Sequence, residues 1–381
     1  MDGNVLSFMK YHLIYTGLGS GNIGDSAMFH GFTCLSMNSR GATVEIADLS
    51  SPCLKHLSSD YRFLCVQDKR RCDKAIQEAE CILLVGGTID DYLGTKWPLE
   101  KIGERLAVCK HHGKAIHALG VGVDHLSDEV SKALFRQHFL DVASWCVRTK
   151  QNRLHLIELG VDPEHVFVAA DLAWLQNMTD SDKQFAGKFW LKKQLPTERP
   201  VLGVNVVNEI WKNNFEIKKG LAAALDSVIE EWKWEVVFFC NEVRNGDFYD
   251  LEATKKVMKF MKRKAHLLPP VYFSPGQMIA LIKHCRLTLS WRYHFTVFSL
   301  LAGIWSVPVE RVSKMKELAL EFGLDTVTLK EASDAELIYD RLVELKNKKD
   351  AHQNERKFRV KKDLQRRALL NRSLCSTVPC S

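Results

Sequence analysis

Residues 11–28 read YHLIYTGLGSGNIGDSAM, an apolar strand candidate that passes through a glycine-rich turn into a helix. The strand candidate is Tyr11–Gly17, and the turn begins at its last residue. Glycines let backbone amides approach an anion closely, and a helix N-terminus adds partial positive charge. A tight strand-to-helix turn also requires glycine, so the turn has a structural and an anion-binding interpretation. It lacks the lysine of a Walker loop and the glycine spacing of the dinucleotide fingerprint.

Short apolar runs alternate with helical stretches along the rest of the chain. One predicted helix, Trp97–His111, has apolar residues spaced by about 3.6 positions. This alternation is typical of βαβ units in a mainly parallel sheet. It predicts an α/β fold with two doubly wound, Rossmann-like domains that face a central cleft. The further strand candidates are Ala42–Asp48, Phe63–Val66, Cys81–Gly86, Ala115–Gly120, Ser144–Arg148, Val166–Ala169, Val201–Val207, Trp234–Cys240 and Leu287–Ser290.

The domain boundaries follow from a lapse in this alternation. A chain of 381 residues is longer than one hydrophobic core usually supports. Between Gln176 and Pro200 the sequence becomes polar and carries two prolines, which discourage regular structure. We therefore predict a first α/β domain in residues 1–176, a linker in 177–200, a second α/β domain in 201–345, and a basic C-terminal helix and tail in 346–381.

The positive charge is concentrated in that tail. Lys346–Arg372 contains 11 basic and 3 acidic residues, so it carries 11 − 3 = +8, whereas the whole chain carries +7. The rest of the chain is therefore nearly neutral, which argues against a nucleic-acid partner. The tail is interpreted either as the solvated face of a terminal helix or as a surface that touches anionic lipid.

The cysteines and apolar segments indicate a cytoplasmic protein. The 11 cysteines are scattered without a Cys-x-x-Cys pair, which fits a reducing compartment and predicts no metal site. The longest apolar stretch, Phe295–Val309, is shorter than the roughly 18 residues that a membrane span requires. The N-terminal residues do not resemble a secretory signal. A peripheral position at the inner membrane face is the alternative that the basic tail suggests.

Glycine loops follow three of the predicted strands. In open parallel sheets ligands bind at the carboxyl ends of the strands, so the three loops suggest a common crevice. In the first loop, the polar side chains could cap the following helix or orient an acceptor hydroxyl. The loop residues are Gly21, Asn22, Gly24 and Asp25, then Gly86, Gly87, Asp90 and Asp91, and finally Gly120 with Gly122.

The second domain carries its own candidate site in Ser290–His294, which reads SWRYH. This segment lies where a strand passes into the helix predicted from about Phe295 to Ala302. Arg292 suits bidentate binding of a carboxylate or phosphate, and His294 can exchange a proton near neutral pH. The structural alternative is a histidine satisfied by backbone groups and an arginine in a surface ion pair.

The order of these segments resembles the polysaccharide pyruvyl transferase family, whose fold is similar to that of GT-B glycosyltransferases. The resemblance runs from about Tyr11 to Leu324. Its elements are Gly21-Asn-Ile-Gly-Asp25, Gly86-Gly87 with Asp90 or Asp91, Gly120-Val-Gly122, Val147-Arg148, Leu159-Gly-Val161, Asp171-Leu-Ala-Trp174, Arg292-Tyr-His294, Ala302-Gly303 and Lys314.

This resemblance implies transfer of an enolpyruvyl-derived group from phosphoenolpyruvate to a sugar, which forms a pyruvate ketal. Arg292, with Lys314, would bind the carboxylate and phosphate of the donor, and His294 would act as general acid. Asp25 would position or deprotonate the acceptor hydroxyl. The implied acceptor is a sugar, an oligosaccharide or a lipid-linked glycan of a surface polysaccharide, and no cofactor is implied.

The chain departs from the family pattern at several positions. Arg311 replaces a tyrosine, and some relatives have an arginine where Val204–Asn208 reads VNVVN, so Arg311 could supply the missing charge. Thr88, Ser26 and Trp305 also differ from the family's residues. A nucleotide-sugar glycosyltransferase of the same architecture, with Arg292, Arg311 and Lys314 at the diphosphate, is therefore one alternative. A non-catalytic protein that binds glycan or anionic lipid is the other.

Overall fold

The computed structural model describes residues 10–14, 17–35, 39, 41–91, 95–208, 215–247, 249–347 and 351–376. Tyr15 and Thr16 of the first predicted strand, and residues 348–350 and 377–381 of the predicted tail, lie outside these ranges. The chain divides into two compact units. Unit 1 comprises the described residues of Met1–Ser20, Asp25–Leu175 and Leu364–Ser381, and unit 2 comprises those of Gly21–Gly24 and Gln176–Asp363.

Unit 1 is built on a parallel sheet. The central strand β4, CILLV, is buried at all five positions, as expected for a strand covered on both faces. The strands are β1 (Tyr11–Ile14), β2 (Thr43–Ile46), β3 (Arg62–Cys65), β4 (Cys81–Val85), β5 (Thr88–Ile89), β6 (Ile116–Val123), β7 (Ser144–Val147) and β8 (Val166–Val168). The helices are α1 (Ile23–Thr33), whose first two residues belong to unit 2, and α2 (Lys69–Glu78), α3 (Leu99–His111), α4 (Glu129–Phe139) and α5 (Lys150–Glu158).

Unit 2 contains a second parallel sheet. Its strands are β9 (Val201–Asn205), β10 (Glu235–Phe238), β11 (His266–Leu267), β12 (Leu287–Ser290), β13 (Trp305–Glu310) and β14 (Val327–Thr328). Its helices are α6 (Asp180–Lys192), α7 (Phe215–Trp232), α8 (Asp250–Phe260), α9 (Pro275–Ile282), α10 (Tyr293–Leu301), α11 (Ser313–Phe322) and α12 (Ala335–Asn347). The C-terminal helices are α13 (Ala351–Leu369) and α14 (Asn371–Ser376).

Both sheets have the strand order of doubly wound folds. The order in unit 1 is β3-β2-β1-β4-β6-β7-β8, with β5 paired to β6, and the order in unit 2 is β11-β10-β9-β12-β13-β14. The direction of winding reverses between β1 and β4 and between β9 and β12. Such reversal points open a crevice at the carboxyl ends of the strands. The predicted fold class of two doubly wound α/β units is confirmed.

The prediction that Gly120 lies in a loop is wrong, because this residue lies inside β6. The strand continues to Val123 because β5 pairs with its second half, Thr88 opposite Gly122. The register shifts between Leu119 and Val121, which marks a β-bulge at Gly120. The glycine has a φ of 61°, a left-handed conformation that other residues rarely adopt.

The polar segment 177–200, predicted to be a linker, contains helix α6. Thr179 and Asp182 form a capping box at its N-terminus, each side chain accepting from the backbone amide of the other. Ala186 and Trp190 are buried, so the helix has an apolar face despite its polar composition. The two prolines that discouraged a helix prediction lie beyond its C-terminus.

The basic tail forms α13 and α14, and several of its cations bind backbone carbonyls. Within unit 2, Lys357 donates to the carbonyl of Gly303 at 2.7 Å and Lys361 to that of Leu301 at 3.1 Å. Both carbonyls lie at the C-terminal end of α10, where a positive charge is favourable. Burial lowers the pKa of Lys357 to about 8, and the charge of Lys361 adds to the shift.

Unit 1 binds the end of the tail in the same way. Arg367 donates to the carbonyl of Ala169 at 3.1 Å and to that of Arg148 at 3.3 Å. These cations therefore have structural partners, while lipid contact by the tail stays a prediction. In the described part of the chain, we find no helix that is both long and apolar enough to cross a bilayer.

Candidate active site

The segment SWRYH occupies the reversal point of the unit 2 sheet. Ser290 ends β12, which pairs with β9, and α10 begins at Tyr293. The Ser290 hydroxyl donates to the carbonyl of Arg292 at 2.8 Å, which holds the turn between strand and helix. From β9 the chain adds strands toward one edge of the sheet, and from β12 it adds them toward the other edge. The turn after β12 therefore lies where ligands bind in doubly wound sheets.

Arg292 is held by a buried carboxylate that the sequence did not single out. Its Nε donates to Oδ1 of Asp250 at 2.7 Å, and its Nη2 lies 2.6 Å from the same oxygen. The Asp250 side chain is fully buried, and that of Arg292 is 14% exposed. The ion pair fixes the plane and direction of the guanidinium group, as charge-assisted contacts to arginine commonly do.

The second oxygen of Asp250 organises the backbone around the site. Oδ2 accepts from the amides of Asn241 and Glu242 at 2.9 and 3.1 Å. It also accepts from Nδ2 of Asn205 at 2.9 Å. Asp250 thus links the ends of β9 and β10 to Arg292, and one carboxylate satisfies several buried donors.

Two buried oxygens near this carboxylate have no hydrogen-bond partner among the described residues. They are Oδ1 of Asn205 and Oδ1 of Asn241, whose amide groups donate to Asp250. Buried polar groups in proteins usually pair with protein, water or ligand. These two acceptors are therefore candidates for contacts with a polar ligand.

The loop Gly21–Gly24, which was predicted in the first domain, belongs to unit 2. The amide of Val243 donates to the carbonyl of Gly21 at 3.1 Å, and the amide of Ile23 donates to that of Asn241 at 3.0 Å. Oδ1 of Asn22 accepts from the amide of Gly24 at 2.9 Å. This pairing positions the glycine loop beside the segment that follows β10.

Gly24 lies directly against His294. A Cβ atom at Gly24 would be 2.1 Å from Nδ1 and 2.8 Å from Cβ of the histidine. No side chain fits at that separation unless the histidine moves. His294 is 8% exposed and lies beside the Tyr293 ring, with 5.2 Å between centroids. The absence of a side chain at position 24 therefore makes room for the imidazole.

We expect Gly24→Ala to lower the free energy of unfolding by about 1–3 kcal/mol, the usual cost of overpacking. The cost should shrink in a His294→Ala background, because the clashing ring is then absent. Urea denaturation of the four proteins in this double-mutant cycle measures the effect. Gly187→Ala is the control, since no neighbouring side chain among the described residues lies within 4 Å of the added methyl group in α6. Equal costs in both backgrounds would contradict the prediction.

The other two predicted donor-binding cations also lie around this segment. Nε of Arg311 donates to the carbonyl of Trp291 at 3.4 Å. Nζ of Lys314, near the start of α11, lies 5.6 Å from the centroid of the Tyr293 ring. Unit 2 thus brings together Arg292, His294, Arg311, Lys314 and the loop Gly21–Gly24.

In unit 1, several of the predicted residues are arranged around the buried side chain of Arg148. Nε of Arg148 donates to the carbonyl of Gly120 at 2.8 Å, and Nη2 donates to that of Gly87 at 2.6 Å. The same side chain pairs with Asp171 at 3.1 Å and is 3% exposed. The amide of Gly86 donates to the carbonyl of Leu119 at 2.9 Å. Arg148 therefore ties the glycine loop to the bulged strand.

Asp91 is buried and engages the following loop, whereas Asp25 and Asp90 are partly exposed. Oδ2 of Asp91 accepts from the Ser127 amide at 2.7 Å. Burial raises the pKa of Asp91, but the hydroxyl and amide of Ser127 outweigh it and lower the pKa overall. Oδ2 of Asp25 lies 3.5 Å from the Ser20 hydroxyl. The catalytic role of Asp25 stays a prediction.

Sequence reasoning missed Asp250, Asn205 and Asn241. Asp250 lies 42 positions from Arg292, so spacing does not link the two residues. The available signal was an acidic residue in the first turn of a helix that follows a buried strand. Asn205 was noted only as part of the stretch Val204–Asn208, where some relatives have an arginine, yet its side-chain amide donates to Asp250.

Three solved structures are similar to this chain in fold, at sequence identities of 10% to 12%. UDP-GlcNAc 2-epimerase from Neisseria meningitidis, bound to UDP-GlcNAc, has a TM-score of 0.62 at 10% identity over 96% of this chain and 100% of its own. The epimerase from Methanocaldococcus jannaschii has a TM-score of 0.61 at 12% identity over 92% and 98%. ADP-heptose lipopolysaccharide heptosyltransferase II from Escherichia coli has a TM-score of 0.55 at 11% identity over 88% and 98%.

The family is shown by sequence. No curated protein matches this chain significantly. The sequence model of the family described as polysaccharide pyruvyl transferase, however, matches residues 35–312, a span that includes Arg148, Asp250, Arg292, His294 and Arg311. That span is well over half of the 381 residues. The chain therefore belongs to the polysaccharide pyruvyl transferase family, and it is a transferase that modifies polysaccharides, built on the fold shared by GT-B glycosyltransferases and these epimerases.

Proposed function

We propose that the protein transfers a pyruvyl group from phosphoenolpyruvate to two hydroxyls of one sugar unit in a surface polysaccharide or its lipid-linked precursor. The products are a pyruvate ketal and inorganic phosphate. The observation that carries this proposal is the placement of Arg292 and His294 together at the reversal point of the unit 2 sheet. Family membership supports the reaction class.

The charges of this site suit a donor with two anionic groups. Arg292 is oriented by Asp250, and Arg311 and Lys314 lie around the same turn. Positioned cations stabilise the negative charge that develops on a departing phosphate. Because Asp250 offsets the charge of Arg292, we assign Arg292 chiefly to orientation of the donor. Arg311 and Lys314 supply the further positive charge.

His294 supplies the proton chemistry in this proposal. The first acceptor hydroxyl forms a bond to C2 of phosphoenolpyruvate, and the methylene carbon takes a proton from His294 to become a methyl group. The C2–O bond to phosphate then breaks, and the second hydroxyl bonds to C2. The two hydroxyl protons replace the one that His294 donated and protonate the released phosphate. The donor's own phosphate is the leaving group, so we propose no cofactor.

Phosphoenolpyruvate is expected to raise the melting temperature of the native chain but not that of Arg292→Ala. A ligand that binds only the folded protein stabilises it by RT ln(1 + [L]/Kd), about 2.7 kcal/mol at a hundredfold excess over Kd. Removal of the guanidinium group eliminates the main orienting contact with the donor. Thermal shift with phosphoenolpyruvate, run beside a panel of nucleotide sugars, makes the measurement.

Arg263→Ala is the matched control for this experiment. Arg263 is an exposed arginine of the same unit and pairs with Glu230, so its variant should respond to phosphoenolpyruvate as the native chain does. A response of the native chain to nucleotide sugars alone would overturn the proposed donor. It would favour a glycosyltransferase, the activity of the heptosyltransferase that shares this fold.

A further inference from the structure

One pocket in unit 1 is lined by none of the residues discussed so far as a site. It has a volume of about 550 Å³ and is bounded by the N-terminal half of α2 and by α3. Val66, Trp97 and Pro98 give it apolar walls, and Glu45, Asp73 and Arg105 contribute polar atoms. This volume and mixture of walls are usual for pockets that bind small molecules.

The polar wall is preorganised by a buried chain of side chains. Nδ1 of His12 lies 2.6 Å from the Thr43 hydroxyl, and its Nε2 lies 3.1 Å from Oε1 of Glu45. Arg105 donates to the same Glu45 oxygen through Nε at 2.9 Å and Nη2 at 2.6 Å. Its Nη1 donates to Asp73 at 2.7 Å. A satisfied network of this kind holds its members rigidly.

Burial makes this network costly as a purely structural device. His12 is fully buried and Glu45 is 2% exposed, whereas Arg105 is 17% exposed toward solvent. Buried ion pairs rarely add net stability compared with apolar residues of similar size. The network is explained if Arg105 and Asp73, which reach the pocket, also bind a ligand there.

The charge of the pocket selects the class of ligand. Its lining has three cations and three acids, 3 − 3 = 0, so it carries no excess charge for a phosphate or a polyanion. A neutral polar ligand fits such a lining, because its hydroxyls can both donate to carboxylates and accept from guanidinium. The charged lining residues are Lys69, Lys101, Arg105, Glu45, Asp73 and Glu104.

Trp97 supplies the surface on which such a ligand can stack. It lines the pocket, and 53% of its surface is exposed, which is unusual for so large an apolar residue. The apolar C–H face of a sugar ring packs on an indole, while the hydroxyls at its rim reach neighbouring polar side chains. We propose that this pocket binds one uncharged sugar unit of the glycan chain, stacked on Trp97 and hydrogen-bonded to Arg105 and Asp73.

This inference rests on the proposed function only for identifying the sugar as part of the acceptor. Sugar binding itself can be measured without phosphoenolpyruvate. Isothermal titration with maltotriose, cellotriose and chitotriose should show that at least one of them binds the native chain. Trp97→Ala should weaken that binding about tenfold or more, which corresponds to the loss of a stacked aromatic contact. Trp97→Phe should retain most of the affinity.

The controls separate this site from the candidate active site. Phe167→Ala removes an aromatic residue of unit 1 that is 45% exposed and does not line the pocket, so sugar affinity should stay unchanged. His294→Ala should lose turnover yet bind the sugar normally. If no oligosaccharide binds, or if Trp97→Ala binds as the native chain does, the pocket assignment is overturned. Absence of phosphate release with Trp97-dependent binding intact would instead remove only the proposed reaction.

Discussion

Asp250→Ala is expected to lower the free energy of unfolding by about 3–5 kcal/mol, the cost of removing one partner from a buried ion pair. The carboxylate is fully buried and accepts from Arg292, Asn205 and two backbone amides. Alanine leaves the guanidinium charge without its counter-ion and the other donors without their acceptor. Urea denaturation, followed by circular dichroism, measures the loss.

Two further variants make the result specific. Asp247→Ala removes an acid from the same stretch of chain that is 75% exposed and paired with Lys256, so its effect should stay within about 0.5 kcal/mol. The double variant Asp250→Ala, Arg292→Ala should lose less free energy of unfolding than the sum of the two single variants. Each single change leaves one buried charge without its counter-ion, whereas the double change removes both charges. A loss below about 1 kcal/mol for Asp250→Ala would show that the pair does not organise the site.

His294→Gln is expected to reduce turnover about 10²–10⁴-fold, the usual contribution of a positioned general acid. Glutamine approximates the size of the imidazole and preserves hydrogen bonding, so the packing against Gly24 should survive. It does not exchange protons near neutral pH. Release of phosphate from phosphoenolpyruvate, measured over a panel of oligosaccharide acceptors, reports the change, and thermal melting confirms that the fold is retained.

The control for the histidine is His266→Gln. His266 lies in β11, three strands from β12 in the same sheet, and its Nε2 is 3.4 Å from a Glu235 oxygen. Its replacement should leave turnover unchanged. Equal turnover in His294→Gln and the native chain would exclude His294 as the general acid. If the native chain binds glycan but releases no phosphate with any acceptor, the non-catalytic alternative gains support instead.

Local sequence signals determined much of the architecture. Runs such as CILLV are apolar at every position, as expected of a strand covered on both faces, and they alternate with helical stretches, so two parallel sheets could be predicted. The approximate positions of most long strands followed from the same signal. The short strands β5, β11 and β14 were missed, since two residues carry no periodic pattern. Strand β13 was also missed, because most of it lies inside the continuous apolar stretch Phe295–Val309, which shows no separate strand signal.

The sequence allowed only some residues of the candidate site to be predicted. Arg292 and His294 could be selected because their chemistry is local to one pentapeptide that follows a predicted strand. The residue that orients Arg292 could not, since Asp250 meets it only when α8 packs against the reversal point. Gly24 could be recognised as part of a turn. The sequence could not show that its lack of a side chain makes room for His294, because the two residues are far apart along the chain.

The sequence by itself therefore determined the fold class and the family, and it predicted Arg292 and His294 of the SWRYH segment as site residues. Tertiary structure decided which residues support them, placed Gly21–Gly24 in unit 2, and turned Gly120 into a bulge within a strand. It also assembled the pocket network from His12, Glu45, Asp73 and Arg105. The physical reason is that periodicity and turn chemistry act over a few residues. A buried charged side chain, in contrast, pairs with whichever distant residue the packing brings within hydrogen-bond distance.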